Sequence, residues 1–140
     1  MAQHTDKGRI KENVFFLKTH KTASTVVQNV ILRYADHHGL LVGAPAFNDH
    51  KFGYSAGKTF HHNQLRKSQH KISILCHHMR FNYEEVKMVM PTQTVFVTII
   101  RDPASLFESF FDYFHWDCDS FARVPHTELG MRLWLNNTKK

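Results

Sequence analysis

Residues 16–29, FLKTHKTASTVVQN, constrain the chain more than any other stretch. The apolar run 14–17 reads as a short buried strand. A tight turn crowded with Lys and Thr follows. From Ser24 to Asp36 the apolar residues Val26, Val27, Val30, Ile31 and Tyr34 recur at helical spacing. Strand, cationic turn and helix in this order suit the phosphate-binding corner of a parallel α/β sheet, and equally an ordinary strand–turn–helix with two solvated lysines. Backbone N–H groups and the positive end of the helix dipole meet at such a corner. Lys18 and Lys21 add charge, and Thr22, Ser24 and Thr25 add hydroxyls. Ala23 stands at the tight position where a glycine is expected, and no Walker A pattern is present.

The rest of the chain repeats the alternation. Segments 72–76 and 95–100 read as strands. Segment 82–90 reads as a helix, with Asn82 and Glu85 at capping-box spacing and Pro91 as its stop. Pro103 opens a helix running to about Phe114, residues 117–126 read as a loop, and 127–136 as a last helix. Segment 39–69 is polar and glycine-bearing, irregular with one short helix. The expected class is α/β, a P-loop-like three-layer fold with a central parallel sheet. Three strands are few for a complete sheet. The ends of the chain, a polar segment 1–13 and the terminal NNTKK, suit a piece of a longer protein, with 14–138 as a partial domain.

Composition narrows the partners. The chain has 140 residues, 42% of them hydrophobic and 12 of them Phe, enough to build a core. A formal charge of +6 favours anionic ligands. Neither a membrane-length apolar run nor a signal-peptide pattern is present. Cys76 and Cys118 do not choose a redox compartment.

A second anchor is TIIRDPASLFESFFDYF, residues 98–114. Arg101 ends a strand and can fork onto a phosphate. Ser105 and Ser109 share a helix face, and Ser109 can complete the contact. The bland alternative pairs Arg101 with Asp102 or Glu108. Phe107, Phe110, Phe111 and Phe114 read as core packing at helical spacing.

Taken together, the KTAST loop after one strand and RDP after another, with Ser eight residues beyond the Arg, resemble the sulfotransferases that use 3'-phosphoadenosine 5'-phosphosulfate (PAPS). FLKTHKTAST, CHHMRFN and IRDPASLFESFFDYF resemble the galactose 3-O-sulfotransferase family in particular. The resemblance implies that Lys18, Lys21, Thr22, Ala23, Ser24 and Thr25 surround the 5'-phosphosulfate, and that Arg101 and Ser109 bind the 3'-phosphate. It implies that Lys21 meets the charge on the leaving oxygen. Among 12 His, position and resemblance favour His78 and His77 as the general base, and His20 as a second catalytic or orienting group. His4, His37, His38 and His50 read as surface residues.

The resemblance further implies a galactose-terminated glycolipid or glycan acceptor and a lumenal domain on a Golgi membrane anchor that this chain lacks. A homodimer is open, and nucleic acid is not an expected partner. No metal is expected: adjacent His residues rarely point at one ion, and no C-x-x-C or H-E-x-x-H spacing occurs. Two rival classes are a P-loop kinase-like phosphotransferase and a non-catalytic nucleotide- or glycan-binding module. Asn136 begins an N-glycosylation sequon.

Overall fold

Strand β1, Val14–Leu17, is hydrogen-bonded on both sides, and the fold is arranged around it. The computed structural model describes residues 12–46, 51–52, 58–68 and 70–137. Most of the polar segment 1–13, His4, His50, Gly53, Gly57 and Thr138 of the sequon lie outside the described residues. Helix α1 spans Ser24–His37, β2 Lys51–Phe52, β3 Ile74–Leu75, β4 His78–Met79, α2 Tyr83–Val89, β5 Val95–Thr98, α3 Pro103–Phe114, α4 Asp119–Ala122 and α5 Glu128–Asn137. A single 3-10 turn covers His62–Gln64. The chain forms two compact units, one of 12–19 with 24–99 and one of 20–23 with 100–137.

The first unit is α/β. Its main sheet is parallel, in the order β3-β1-β5, with Val14–Leu17 in register against Val95–Thr98. Successive strand residues point to opposite faces, and both faces are apolar. Phe15 and Leu75 join Phe52, Phe60, Met79, Val86 and Met90 on one side, where α2 packs. Phe16, Ile74 and Cys76 meet Val27, Ile31 and Ala35 of α1 on the other. Truncating Phe15 or Phe16 to Ala would remove about 3–5 kcal/mol. Helix α1 closes in a Schellman arrangement: Gly39 at φ +63 lets the Leu40 amide reach the Ala35 carbonyl at 2.8 Å.

Several expectations are corrected. The core-facing stripe of α1 is Ala35 with the half-buried Val27 and Ile31, whereas Val26 and Val30 are exposed, since they lie a helical step round the cylinder. The strand expected over 72–76 shortens to two residues, because the chain leaves the sheet at Cys76. It then pairs His78–Met79 with Lys51–Phe52 in a second small parallel sheet that the irregular reading of 39–69 had missed. Asn82 starts α2 without a side-chain cap, its amide directed at Thr59 Oγ1, and Glu85, its expected capping partner, turns to His62.

The second unit is helical around an aromatic core. Phe107 and Phe121 each pack against Phe111, Trp134 and one another, with ring centroids 5.1–6.4 Å apart. Part of the segment read as a loop, 117–126, is the short helix α4, which buries Phe121. The phenylalanine series divides: Phe107 and Phe111 face this core, while Phe110 and Phe114 face His20. Gly130 is fixed by close approach, since a Cβ there would lie 1.7 Å from the Pro125 carbonyl oxygen.

His115 is 1% exposed, stacked on His126 at 4.4 Å, with Asp112 3.4 Å from His126. Burial holds its pKa below the ordinary imidazole value, and His126 adds to the effect. The unfolded chain therefore takes up a proton that the folded one refuses. Stability falls as pH drops through about 6.5, the unfolded value, toward the lower folded one. Melts from pH 8 to pH 5 should show this loss, and His115→Leu should flatten it. An equally steep acid loss in the variant would assign it to other groups.

Candidate functional site

The turn joining β1 to α1 contains no glycine, yet two of its residues are left-handed. Lys21 has φ +57 and Ala23 φ +56, with Thr22 between them on the ordinary negative side. A left-handed residue with a Cβ costs about 1–2 kcal/mol. Alternation of sign turns successive N–H groups toward one concave side, the arrangement called a nest, which holds anions. Helix α1 starts directly after it at Ser24 and carries no acidic residue in its first turn, so its positive end is not neutralised.

The loop side chains take different parts. Thr25 is exposed. Thr22 is buried, and so is Ser24, whose hydroxyl donates to the Thr19 carbonyl and closes the turn. Of the three hydroxyls expected to face a ligand, that of Ser24 is therefore already donated within the protein.

In the first unit, Lys18 donates its Nζ proton to Gln28 Oε1 at 2.6 Å, and Gln28 Nε2 donates to the Cys76 carbonyl at 2.6 Å. Partial burial lowers the Lys18 pKa. Burial pushes the Cys76 thiol up to about 11, so it stays protonated; Cys76 and Cys118 are both free thiols. His78, on β4, and His77, in the bend before it, separate. The His78 Nδ1 lies 2.9 Å from the Lys18 carbonyl, while the His77 ring packs edge-on against Phe52. A carbonyl only accepts, so His78 Nδ1 carries the hydrogen and Nε2 carries the lone pair of the neutral ring. Two hydroxyls stitch the strand ends: Thr98 donates to the Leu17 carbonyl at 3.0 Å and Thr19 to the Ile99 carbonyl at 2.9 Å. A cleft of about 530 Å³ elsewhere on this unit is lined by Arg66, Lys67 and Lys71 together with Leu65, Ile72 and Val89.

In the second unit, Arg101 Nη1 donates to the Lys21 carbonyl at 2.9 Å. The expected alternative, a pair with Asp102 or Glu108, does not form among the described residues. Asp102 instead caps α3, accepting the Ser105 amide at 2.9 Å, which holds its carboxyl below the usual range. Pro103 takes the first helical position. The Lys21 ammonium sits 3.9 Å from the centre of the Tyr113 ring, a cation–π contact. His20 packs edge-on against Phe110 and Phe114. Ser109 is half-buried on α3, four residues from Ser105.

The structure thus brings Lys18 to His78 in one unit, and His20, Lys21 and Arg101 to α3 in the other. Sequence reasoning passed over Gln28 and Tyr113. Gln28 left a signal, a polar residue beside Val27 in an apolar stripe. Tyr113 left none.

Comparison with known proteins adds an independent line. The model of the galactose-3-O-sulfotransferase family matches residues 2–138. Human galactose-3-O-sulfotransferase 3 is 42% identical over 117 residues, covering 83% of this chain and 27% of that protein. Human galactosylceramide sulfotransferase is 43% identical over 108 residues, 74% of this chain and 24% of the relative. Human galactose-3-O-sulfotransferase 2 is 38% identical over 113 residues, 81% and 28%. The chain spans about a quarter of the length of these curated relatives. No solved structure matches.

The left-handed Ala23 makes a prediction about the turn. Ala23→Gly should stay within about 0.5 kcal/mol of the parent, since relief of strain offsets the added chain entropy. Ala23→Val should lose at least about 1 kcal/mol, because a branched side chain fits φ +56 poorly. Urea melts of both variants decide it. A harmless Val beside a damaging Gly would mean that residue 23 is not left-handed.

Proposed function

The chain belongs to the galactose-3-O-sulfotransferase family, and from that premise we propose that it forms the PAPS-binding part of an enzyme that sulfates the 3-hydroxyl of galactose. The acceptor is a galactose-terminated glycolipid or glycan, and the enzyme works in the Golgi lumen. The proposed frame is P-loop-like, with 14–138 as part of a longer catalytic domain. The observation that carries the reading is the glycine-free turn with left-handed Lys21 and Ala23, its Lys21 carbonyl held by Arg101.

In this reading the turn's N–H groups and the start of α1 hold the 5'-phosphosulfate. Thr25 and Thr22 add hydroxyl contacts, and Ser24 keeps the turn closed. Arg101 uses one N–H on the loop, and its remaining donors, with Ser109, read the 3'-phosphate. Lys18, tied to Gln28, adds local positive charge. The reaction is an in-line displacement. The acceptor oxygen forms a bond to sulfur while the sulfur–oxygen bond to the 5'-phosphate breaks. Negative charge grows on that leaving oxygen, and Lys21 stabilises it. The acceptor's proton passes to His78 Nε2, the nitrogen with the lone pair. His77 serves packing, and His20 orients the loop through its aromatic contacts. Side-chain cations carry the charge, so the transfer step needs no metal.

Two substitutions in the full-length enzyme test the reading. His78→Asn keeps a side-chain N–H for the Lys18 carbonyl but cannot take up a proton. It should lower kcat by at least about 100-fold while leaving affinity for adenosine 3',5'-bisphosphate nearly intact. An active His78→Asn enzyme would move the base elsewhere, with His20 the next candidate. Lys21→Ala should likewise lower kcat by about 100-fold or more. A raised KM at unchanged kcat would mean that Lys21 binds ground and transition states equally.

A further inference from the structure

Away from the turn, three potential ligands converge on one point of the first unit. His61 and His62 stack their rings, with centroids 4.5 Å apart and 29° between planes. Both Nδ1 atoms face the same carboxylate oxygen of Glu85 on α2: His62 at 2.7 Å and His61 at 3.7 Å. All three ligand atoms lie within 4.8 Å of one another. Adjacent histidines in a strand would diverge. Here the backbone turns at His61 from extended into the 3-10 helix, and this swings both rings to one side.

From this geometry we infer that His61, His62 and Glu85 form a site for a borderline divalent cation, Zn²⁺ being the best fit. Two imidazoles and one carboxylate are a zinc donor set. Donor atoms around a tetrahedral zinc stand about 3.3 Å apart, given bond lengths near 2.0–2.2 Å. The observed separations of 2.7 and 3.7 Å bracket that spacing, so small side-chain rotations admit the ion. The outer contacts are in place as well. The His62 amide donates to Glu85 Oε2 at 2.9 Å and orients the carboxylate. The Asn63 amide donates to His61 Nδ1 at 3.3 Å, so that nitrogen is the unprotonated one, and the ion takes its lone pair in place of this long hydrogen bond. The hydrogen that His62 Nδ1 directs at Glu85 is what the ion displaces.

The side chains of His61 and His62 are 50% and 39% exposed, so water completes the coordination and the ion exchanges with solvent. It would tie the 3-10 turn to α2. It would also place positive charge at the edge of the cleft that His62 shares with Arg66, Lys67 and Lys71. The inference does not depend on the proposed sulfotransferase roles.

Calorimetric titration of the full chain with ZnCl₂ tests it, with MgCl₂ as the comparison. A saturable event with 1:1 stoichiometry is expected for Zn²⁺ and not for Mg²⁺, together with a rise in Tm. Glu85→Gln and His62→Gln should each weaken it by about 10–100-fold, whereas His70→Gln, outside the cluster, should leave it unchanged. His61→Ala, at an exposed position, gives the same reading should either of the other two misfold by circular dichroism. No 1:1 event, or one that survives in the cluster variants, overturns the site.

Discussion

Everything in the first unit hangs on the pairing of β1 with a parallel strand on each side. A four-residue strand satisfies its backbone groups only when both neighbours are present. The same pairing forces Phe15 and Phe16 to opposite faces, and each face then needs its own cover. Helix α1 supplies one cover, and α2 with Phe60 and Leu65, which flank the 3-10 turn, supplies the other. The direction of β1 also decides where its C-terminal turn emerges. That turn lies at the strand end where parallel sheets bind ligands.

The turn itself is held against its own preference. Two left-handed side-chain residues cost a few kcal/mol together, and identifiable contacts oppose that cost. The Ser24 hydroxyl bonds back to the Thr19 carbonyl, Arg101 grips the Lys21 carbonyl, and the Lys21 ammonium rests on Tyr113. Strain kept in place by surrounding contacts is a feature of functional loops. It supports the assignment of this loop to anion binding more than the two lysines do, since surface lysines are common.

Charge placement follows the same economy. Asp102 is taken by the start of α3, which leaves Arg101 without a carboxylate partner among the described residues. Gln28, rather than an acid, receives Lys18, so the lysine keeps its net charge.

The sequence by itself determined the local elements and the family. Strand β1, helices α1 and α3, and the cationic turn follow from periodicity, from Pro103 and from the placement of lysines and hydroxyls, all signals that act over a few residues. Three motif blocks were enough to identify the family that the comparisons then supported. Tertiary structure decided what depends on residues far apart in the chain. The choice of Val27 over Val26 for burial depended on where the sheet lies. The length of β3 and the pairing of β4 with β2 depended on a partner strand in a polar segment without helical or strand periodicity. Glu85 looked like a helix cap by spacing, but a histidine 23 residues earlier claimed it. His77 and His78 are chemically identical in sequence. Only the tertiary structure put the Lys18 carbonyl beside one ring and Phe52 beside the other.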